Sequence, residues 1–300
     1  MRKIGVIINP TSGGGRTLRE WPRLEAALVS QGKTITQHIS TSEADFRATA
    51  RAYARRFNAL GICGGDSSLT IAAEELSALK YKGELLFLPA GSVNDIVIDI
   101  DEAQGKMSGS IYLGELSAEK KRKVFIGQAN WGLGVIVNRW VGKLLRVLPP
   151  LRKFQETIGT LCIVAAHLLR RETVFATFNI GNRRVSGRYS IILVTQLKHW
   201  ASGLRFAAGA SFYSPDFQIV TVRRTGLIRL IRIILAAKTG AHTAFSEVEV
   251  FSSSSLSLQL LKPAAVQVDG DILSAREKEV TSGRFDLVKR KTTMRLSAYH

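Results

Sequence analysis

Residues 61–76, GICGGDSSLTIAAEEL, decide how the chain is read. An apolar, strand-like run stops at Gly64 and Gly65, an acid and two hydroxyls follow at Asp66, Ser67 and Ser68, and helix-forming residues begin at once. A strand that ends in glycines at the mouth of a helix puts backbone N–H groups and the positive end of the helix dipole where an anion can bind. Two other stretches repeat the arrangement. NPTSGGGRT (9–17) follows the run KIGVIIN, and PAGSVND (89–95) completes the run ELLFLPA. One glycine triplet is an ordinary tight turn. Three such loops at the ends of predicted strands line the crevice in which an open α/β sheet binds its ligands.

Working outward, residues 1–115 alternate short β runs with helical segments at 21–30, 43–57 and 69–79. That alternation predicts a parallel sheet with helices on both faces. After EKKRKVF (119–125) the texture changes to β runs punctuated by Gly-Asn, Ser and Pro turn signals, such as VFATFNIGNRRVSGRYSIILVTQ and FSEVEVFSSSSLSLQLLKPAAVQVDGDIL. These predict antiparallel structure. The expected fold is therefore an α/β nucleotide-binding domain over 1–124, followed by a mostly antiparallel β-sandwich over 125–284. Helices at 137–148 and 157–171 stand near the start of the second domain, Pro149-Pro150 closing the first of them.

Composition narrows the partners. The chain has 300 residues, is 45% apolar and holds only 7 prolines, which suits two packed domains. Forty-two Lys and Arg against 24 Asp and Glu give +18, a charge suited to nucleic acid or to an anionic membrane face. No helix-turn-helix, zinc finger, RNP or KH pattern accompanies it, so nucleic acid is not expected. Basic and apolar residues alternate in 138–154, 167–172 and 225–238. In the last, Leu227, Leu230, Ile231 and Ile234 share a stripe flanked by Arg229 and Arg232, as an interfacial helix would present to acyl chains and phosphate headgroups. A helix packed on the sandwich is the alternative.

Arg229 and Arg232 also interrupt the best candidate for a membrane span, and the N-terminal apolar run, about five residues, is too short for a signal peptide core. A cytoplasmic protein in peripheral contact with the inner leaflet is expected. Cys63 and Cys162 lie far apart without a metal-ligand pattern, so neither a disulfide framework nor a zinc site is indicated, and both thiols are expected to be buried. The five histidines show no metal spacing; for His199, beside Trp200, a structural or surface place is the leading reading and approach to an interdomain cleft the alternative.

SGGGRT lacks the GK[ST] ending of a Walker loop, and no GxGxxG follows a strand. The trio INPTSGGG, GGDSSL and LPAGSVNDI, in this order and spacing, instead resembles the diacylglycerol kinase catalytic domain family, which includes bacterial lipid kinases, sphingosine kinases and ceramide kinases. The likeness continues through FIGQANWGLGV (125–135) to VQVDGDIL (266–273), similar to the family's late Asp-Gly-Glu signature.

The resemblance implies a lipid kinase using ATP and Mg²⁺, with residues 285–300 returning to the first domain. Diacylglycerol is the leading acceptor, with ceramide or a sphingoid base as rival and room for a homodimer. It places Asn9, Ser12, Gly13, Gly14 and Gly15, then Gly64, Gly65, Asp66, Ser67 and Ser68, then Gly91, Ser92, Asn94 and Asp95 around the nucleotide. Asp66 faces Mg²⁺, an ion held by one or two carboxylates together with phosphates and waters. Asp269 is implied as the general base for the lipid hydroxyl, supported by Asp271.

The sequence departs from the family at Ser67 and Val93, where the family has Gly, at Ser68 for Thr, and at Asp271 for Glu. Asp66 is also a suitable helix N-cap, and VDGD a strong hairpin turn. Residues 211–220 correspond to an acidic metal loop of bacterial relatives. Only Asp216 remains of its acids, and no second metal is predicted from it. A soluble NAD-kinase-like enzyme and a non-catalytic lipid- or nucleotide-binding protein are the rival readings.

Overall fold

The computed structural model describes residues 2–90, 95–103, 109–118, 121–148, 155–169, 173–201, 203–272 and 283–299. Its first sheet has five parallel strands in the order β16 (Arg295–Ala298), β4 (Glu84–Pro89), β3 (Ala59–Gly64), β1 (Arg2–Ile8), β2 (Lys33–Ile39). The three inner strands are apolar almost throughout, as burial on both faces demands. Successive side chains alternate between two cores. Ile7, Leu60, Ile62, Leu85 and Phe87 meet α2 (Glu43–Arg56), α3 (Asp66–Ala78) and α4 (Asp95–Ala103). Val6, Ile8, Cys63, Leu86 and Leu88 meet Trp21, Leu24 and Leu28 of α1 (Arg16–Ser30). Helices thus cover both faces, as predicted. Helices α1 and α3 begin upstream of the starts expected at 21 and 69, because apolar periodicity sets in only after a polar first turn that belongs to the glycine loops.

The second sheet is antiparallel and curled. Its order is β14 (Asp271–Ile272), β13 (Val266–Val268), β7 (Gln128–Gly132), β9 (Arg183–Thr195), β8 (Val174–Ile180), β12 (Ser255–Leu260), β15 (Arg284–Lys291), β5 (Tyr112–Ala118), β6 (Lys121–Phe125). Strand β9 organises it. Its first half pairs with β8, and its second half lies between β7 and β10 (Phe217–Arg223), which in turn pairs with β11 (Val248–Ser253). Ile192 and Val194 point into the inner core with Trp131, Phe178, Phe217 and Phe285, while Ile191 and Leu193 point outward. Strands β5 and β6 lie upstream of residue 125, and β15 remains in this sheet before β16 rejoins the first.

Three helices cover the outward side: α5 (Leu133–Val147), α6 (Gln155–Leu168) and α7 (Leu227–Ala236). Here the predicted lipid-facing stripe needs correcting. Leu230 and Ile233 are buried and Ile234 packs beside them on Val220 and Val222, because the outer face of the sheet must be covered. Arg229 is drawn in as well, donating to both carboxylate oxygens of Glu247 at 2.9 and 3.1 Å over the ring of Phe245. Ile228, Arg232 and Leu235 form the exposed edge instead. Cys63 is buried, and burial pushes its thiol up to about 12. Cys162, expected to be buried, is only half-buried. Among the described residues no helix is long and apolar enough to cross a membrane.

Candidate active site

The crevice lies where β1, β3 and β4 end. Asn9 continues β1 through an N–H bond to the Cys63 carbonyl at 2.9 Å, and Ala90 continues β4 through one to the Gly64 carbonyl at 2.8 Å. The first two loops are knitted together by side chains. Asn9 Nδ2 donates to Ser68 Oγ at 2.9 Å, and Ser12 Oγ lies 3.4 Å from the same hydroxyl. Asn9 Oδ1 accepts from Thr11, fixing the orientation of its amide. Gly13, Gly14 and Gly15 all have positive φ, and a Cβ on Gly13 would stand 2.4 Å from the Ala90 carbonyl oxygen. Only glycine makes that turn. A Cβ on Gly64 would press on Ser68 of the same loop at under 3 Å, so the turn from β3 into α3 also favours glycine there.

Asp66 opens α3 as its first residue, with Gly65 as the N-cap. It is therefore not the cap, and its side chain is left for other work. The carboxylate oxygen Oδ1 is buried and has no hydrogen-bond partner among the described residues. Burial first, then the nearby Asp95 and Asp269 carboxylates, hold this carboxyl well above the usual carboxylate range. A buried acceptor pressed by two like charges is satisfied by a cation, so the site fits Mg²⁺. Among the described residues no three side chains converge to cage an ion.

Asp269 comes from the other domain. It and Gly270 are the central residues of the β13–β14 hairpin, with φ of 43° and 91°, as a two-residue turn of the primed type requires. The turn reading of VDGD is therefore met, and it is compatible with a place for Asp269 in the site. Its Oδ1 accepts from the Gly127 and Gln128 N–H groups at 2.9 and 2.7 Å. Its Oδ2 accepts from the Ile126 N–H and from Thr70 Oγ1, both at 2.7 Å. Burial pushes the carboxyl up while these donors pull against it, and the net direction is upward. Four donors fill the lone pairs of a carboxylate. As it stands, Asp269 is a fixed anion that binds the start of α3 to the β domain. Ser67 Oγ adds a bond of 3.3 Å to its carbonyl.

Asp95, the first residue of α4, is buried and accepts from the Gly203 N–H at 3.2 Å. Gly91, Ser92 and Asn94 lie outside the described residues. Asp271 does not join the group: it is half exposed and pairs with Lys123 Nζ at 3.5 Å. Among the described residues no contact supports the expected assistance to Asp269. Reasoning from sequence missed Thr70. Its spacing of four from Asp66 on a helix was the available signal; the three backbone donors to Asp269 leave none.

The stretch 211–220 holds a cation of the protein's own. Lys289 Nζ donates to the carbonyls of Ser211 and Asp216 at 2.8 and 3.0 Å, flanked by the rings of Tyr112 and Phe217. Burial lowers this ammonium to about 7 against the pull of Asp216.

Residues 3–129 match the diacylglycerol kinase catalytic domain. The three glycine loops and Asp66 all lie within the matched segment. Two curated relatives, from Streptococcus pneumoniae serotype 4 and Bacillus subtilis, both carry the name "Putative lipid kinase". The first is 23% identical, covering 90% of this chain and 92% of its own length. The second is 21% identical, covering 89% and 92%. A solved diacylglycerol kinase structure from Bacillus anthracis superposes with a TM-score of 0.68 at 12% identity, over 98% of this chain and 96% of that one. Another from the same organism reaches 0.73 at 11% identity, over 99% and 97%. These structural likenesses show the fold: an α/β domain and a curled antiparallel domain, arranged as in diacylglycerol kinase-like proteins.

Proposed function

We propose that the protein is a lipid kinase that transfers the γ-phosphate of ATP to a hydroxyl of a membrane lipid, diacylglycerol first. The observation that carries this reading is the partnerless buried oxygen of Asp66, at a helix N-terminus among glycine loops and beside two further carboxylates. In such a site Asp66 would hold Mg²⁺, which neutralises charge on the transferring phosphoryl group when bound. The loops at Ser12–Gly15 and Gly64–Ser68 position the phosphates, and Asn9 fixes one loop against the other. Phosphoryl transfer asks for little beyond such positioning and charge stabilisation.

For Asp269 to take the proton of the acceptor hydroxyl, one of its four donors must leave. Thr70 is the only side chain among them, and a rotation about its Cα–Cβ bond uncovers Oδ2.

A membrane surface is the proposed partner. Val147, Leu161, Leu168 and Ile228 are all more than 60% exposed on the adjacent helices α5, α6 and α7, and Arg232 stands among them. Apolar residues interspersed with cations suit an anionic bilayer.

The test is transfer of labelled γ-phosphate from ATP to diacylglycerol, ceramide and sphingosine in mixed micelles, wild type against Asp66→Asn. A labelled lipid that disappears in the variant supports the reading and names the acceptor. ATP binding without any labelled lipid overturns it. The saturated Asp269 carboxylate favours one second reading, a nucleotide-binding protein without turnover, and that result would select it.

A further inference from the structure

Helix α4 carries two buried carboxylates one turn apart on the same face, Asp95 and Asp99. Both are gripped from the β domain by the loop that follows β9. Gly203 N–H donates to Asp95 Oδ1 at 3.2 Å. His199 Nδ1 lies 2.6 Å from Asp99 Oδ1, and the Lys198 N–H donates to Asp99 Oδ2. An ionised carboxylate only accepts, so Nδ1 carries the proton of the shared bond.

The described residues of the loop are braced by their own contacts. Trp200 and Leu204 exchange two backbone hydrogen bonds of 2.8 and 2.9 Å, and the Trp200 ring packs edge-on against Phe206 at 5.0 Å. Trp200 also lies so close over Gly134 that a Cβ there would stand 2.4 Å from its ring. Gly134 is in the first turn of α5, the helix whose other end exposes Val147. A packed path therefore runs from α5 through Trp200 and His199 to Asp99 and along one turn of α4 to Asp95, a carboxylate near enough to Asp66 to act on it through space.

We propose that the Asp99–His199 pair is a positioning contact that fixes α4, and with it Asp95 near Asp66, so that the seating of the β domain on α4 sets the affinity of the nucleotide crevice. The pair itself touches neither phosphate nor metal. Helix α4 has nine residues, a length at which a helix relies on tertiary contacts to keep its place. A charge-assisted hydrogen bond in a buried site supplies such a contact with a fixed direction. The inference rests on the kinase reading only for the identity of the ligand.

The experiment combines hydrogen exchange with calorimetric titration of a non-hydrolysable ATP analogue and Mg²⁺, on wild type, His199→Ala and His199→Asn. Asparagine places an amide N–H where Nδ1 stands, so it preserves the bond without the ring. In His199→Ala, exchange rises in the amides of 95–103 while the β-sheet strands keep their protection, and analogue affinity falls at least about tenfold, equivalent to about 1.4 kcal/mol. His199→Asn recovers both.

The proposal is overturned if His199→Asn behaves like His199→Ala, if protection is lost across the β sheet as a whole, or if exchange in α4 does not change. Should the wild type bind the analogue yet phosphorylate no lipid, the kinase reading falls, and affinity and exchange still decide the role of the pair. Should it bind no analogue, the affinity claim falls with it.

Discussion

The hydroxyl of Thr70 donates to the carboxylate of Asp269 across the domain junction, 2.7 Å apart in space and 199 residues apart in sequence. It is the one donor to that carboxylate that a substitution can remove without touching the backbone. Thr70→Val is expected to destabilise the protein by about 1.5–3 kcal/mol, the worth of a hydrogen bond to a buried charge. Urea unfolding measures it. Phosphotransfer per folded molecule is expected to persist, because the substitution uncovers the Oδ2 that a general base needs; its collapse would show that the bond itself is required for turnover.

Asp269→Asn has a different consequence. Both carboxylate oxygens face backbone N–H groups, so an asparagine must direct its NH₂ at a donor. A loss above about 3 kcal/mol is expected, read as a lower urea midpoint together with lost activity.

Asp66→Asn separates stability from function. Removing one of three neighbouring like charges, where no partner is lost, is expected to raise the urea midpoint of the ligand-free protein. Phosphotransfer is expected to fall by about 10²–10³-fold, the cost of removing a preorganised electrostatic group. A variant that is less stable and fully active would contradict the placement of Asp66.

The Lys289 ammonium gives the fold a pH signature. Its value of about 7 in the folded state lies below its ordinary 10.5, so between those pH values the unfolded chain binds more protons than the native one. Stability from this group therefore rises with pH across that window, by at most about 1.4 kcal/mol per pH unit. Urea unfolding at pH 7 and pH 9 is expected to show the rise in wild type and its absence in Lys289→Met.

Membrane docking predicts co-sedimentation with phosphatidylglycerol vesicles, weakened by salt and poor with phosphatidylcholine alone. Ile228→Asp with Leu235→Asp is expected to abolish it. Both residues are exposed, so unfolding should shift by no more than about 0.5 kcal/mol.

Much of the architecture was legible because it rests on local periodicity. Strands such as β3 and β4 announce themselves as short apolar runs, and the glycines at 13–15 all sit at positive φ, Gly13 also against the Ala90 carbonyl. What lay hidden was long-range. Nothing around Lys289 indicates that its ammonium reaches the carbonyls of Ser211 and Asp216, and nothing near residue 126 signals three amides aimed at Asp269. On α7 the periodicity was right and its direction was not: one amphipathic pattern serves a helix on a bilayer and a helix on a sheet, and the apolar outer face of β10 decided between them.

Strand β16 covers the edge of β4, with Ser297 bonding to Glu84 over a separation of 213 residues. During synthesis the α/β sheet therefore waits with an apolar edge open until nearly the whole β domain has left the ribosome. An unpaired edge of that kind recruits strands from other chains. Chains released before residue 295 should aggregate through β4 even though every glycine loop has already been synthesised, which makes the last strand a checkpoint on production rather than on catalysis.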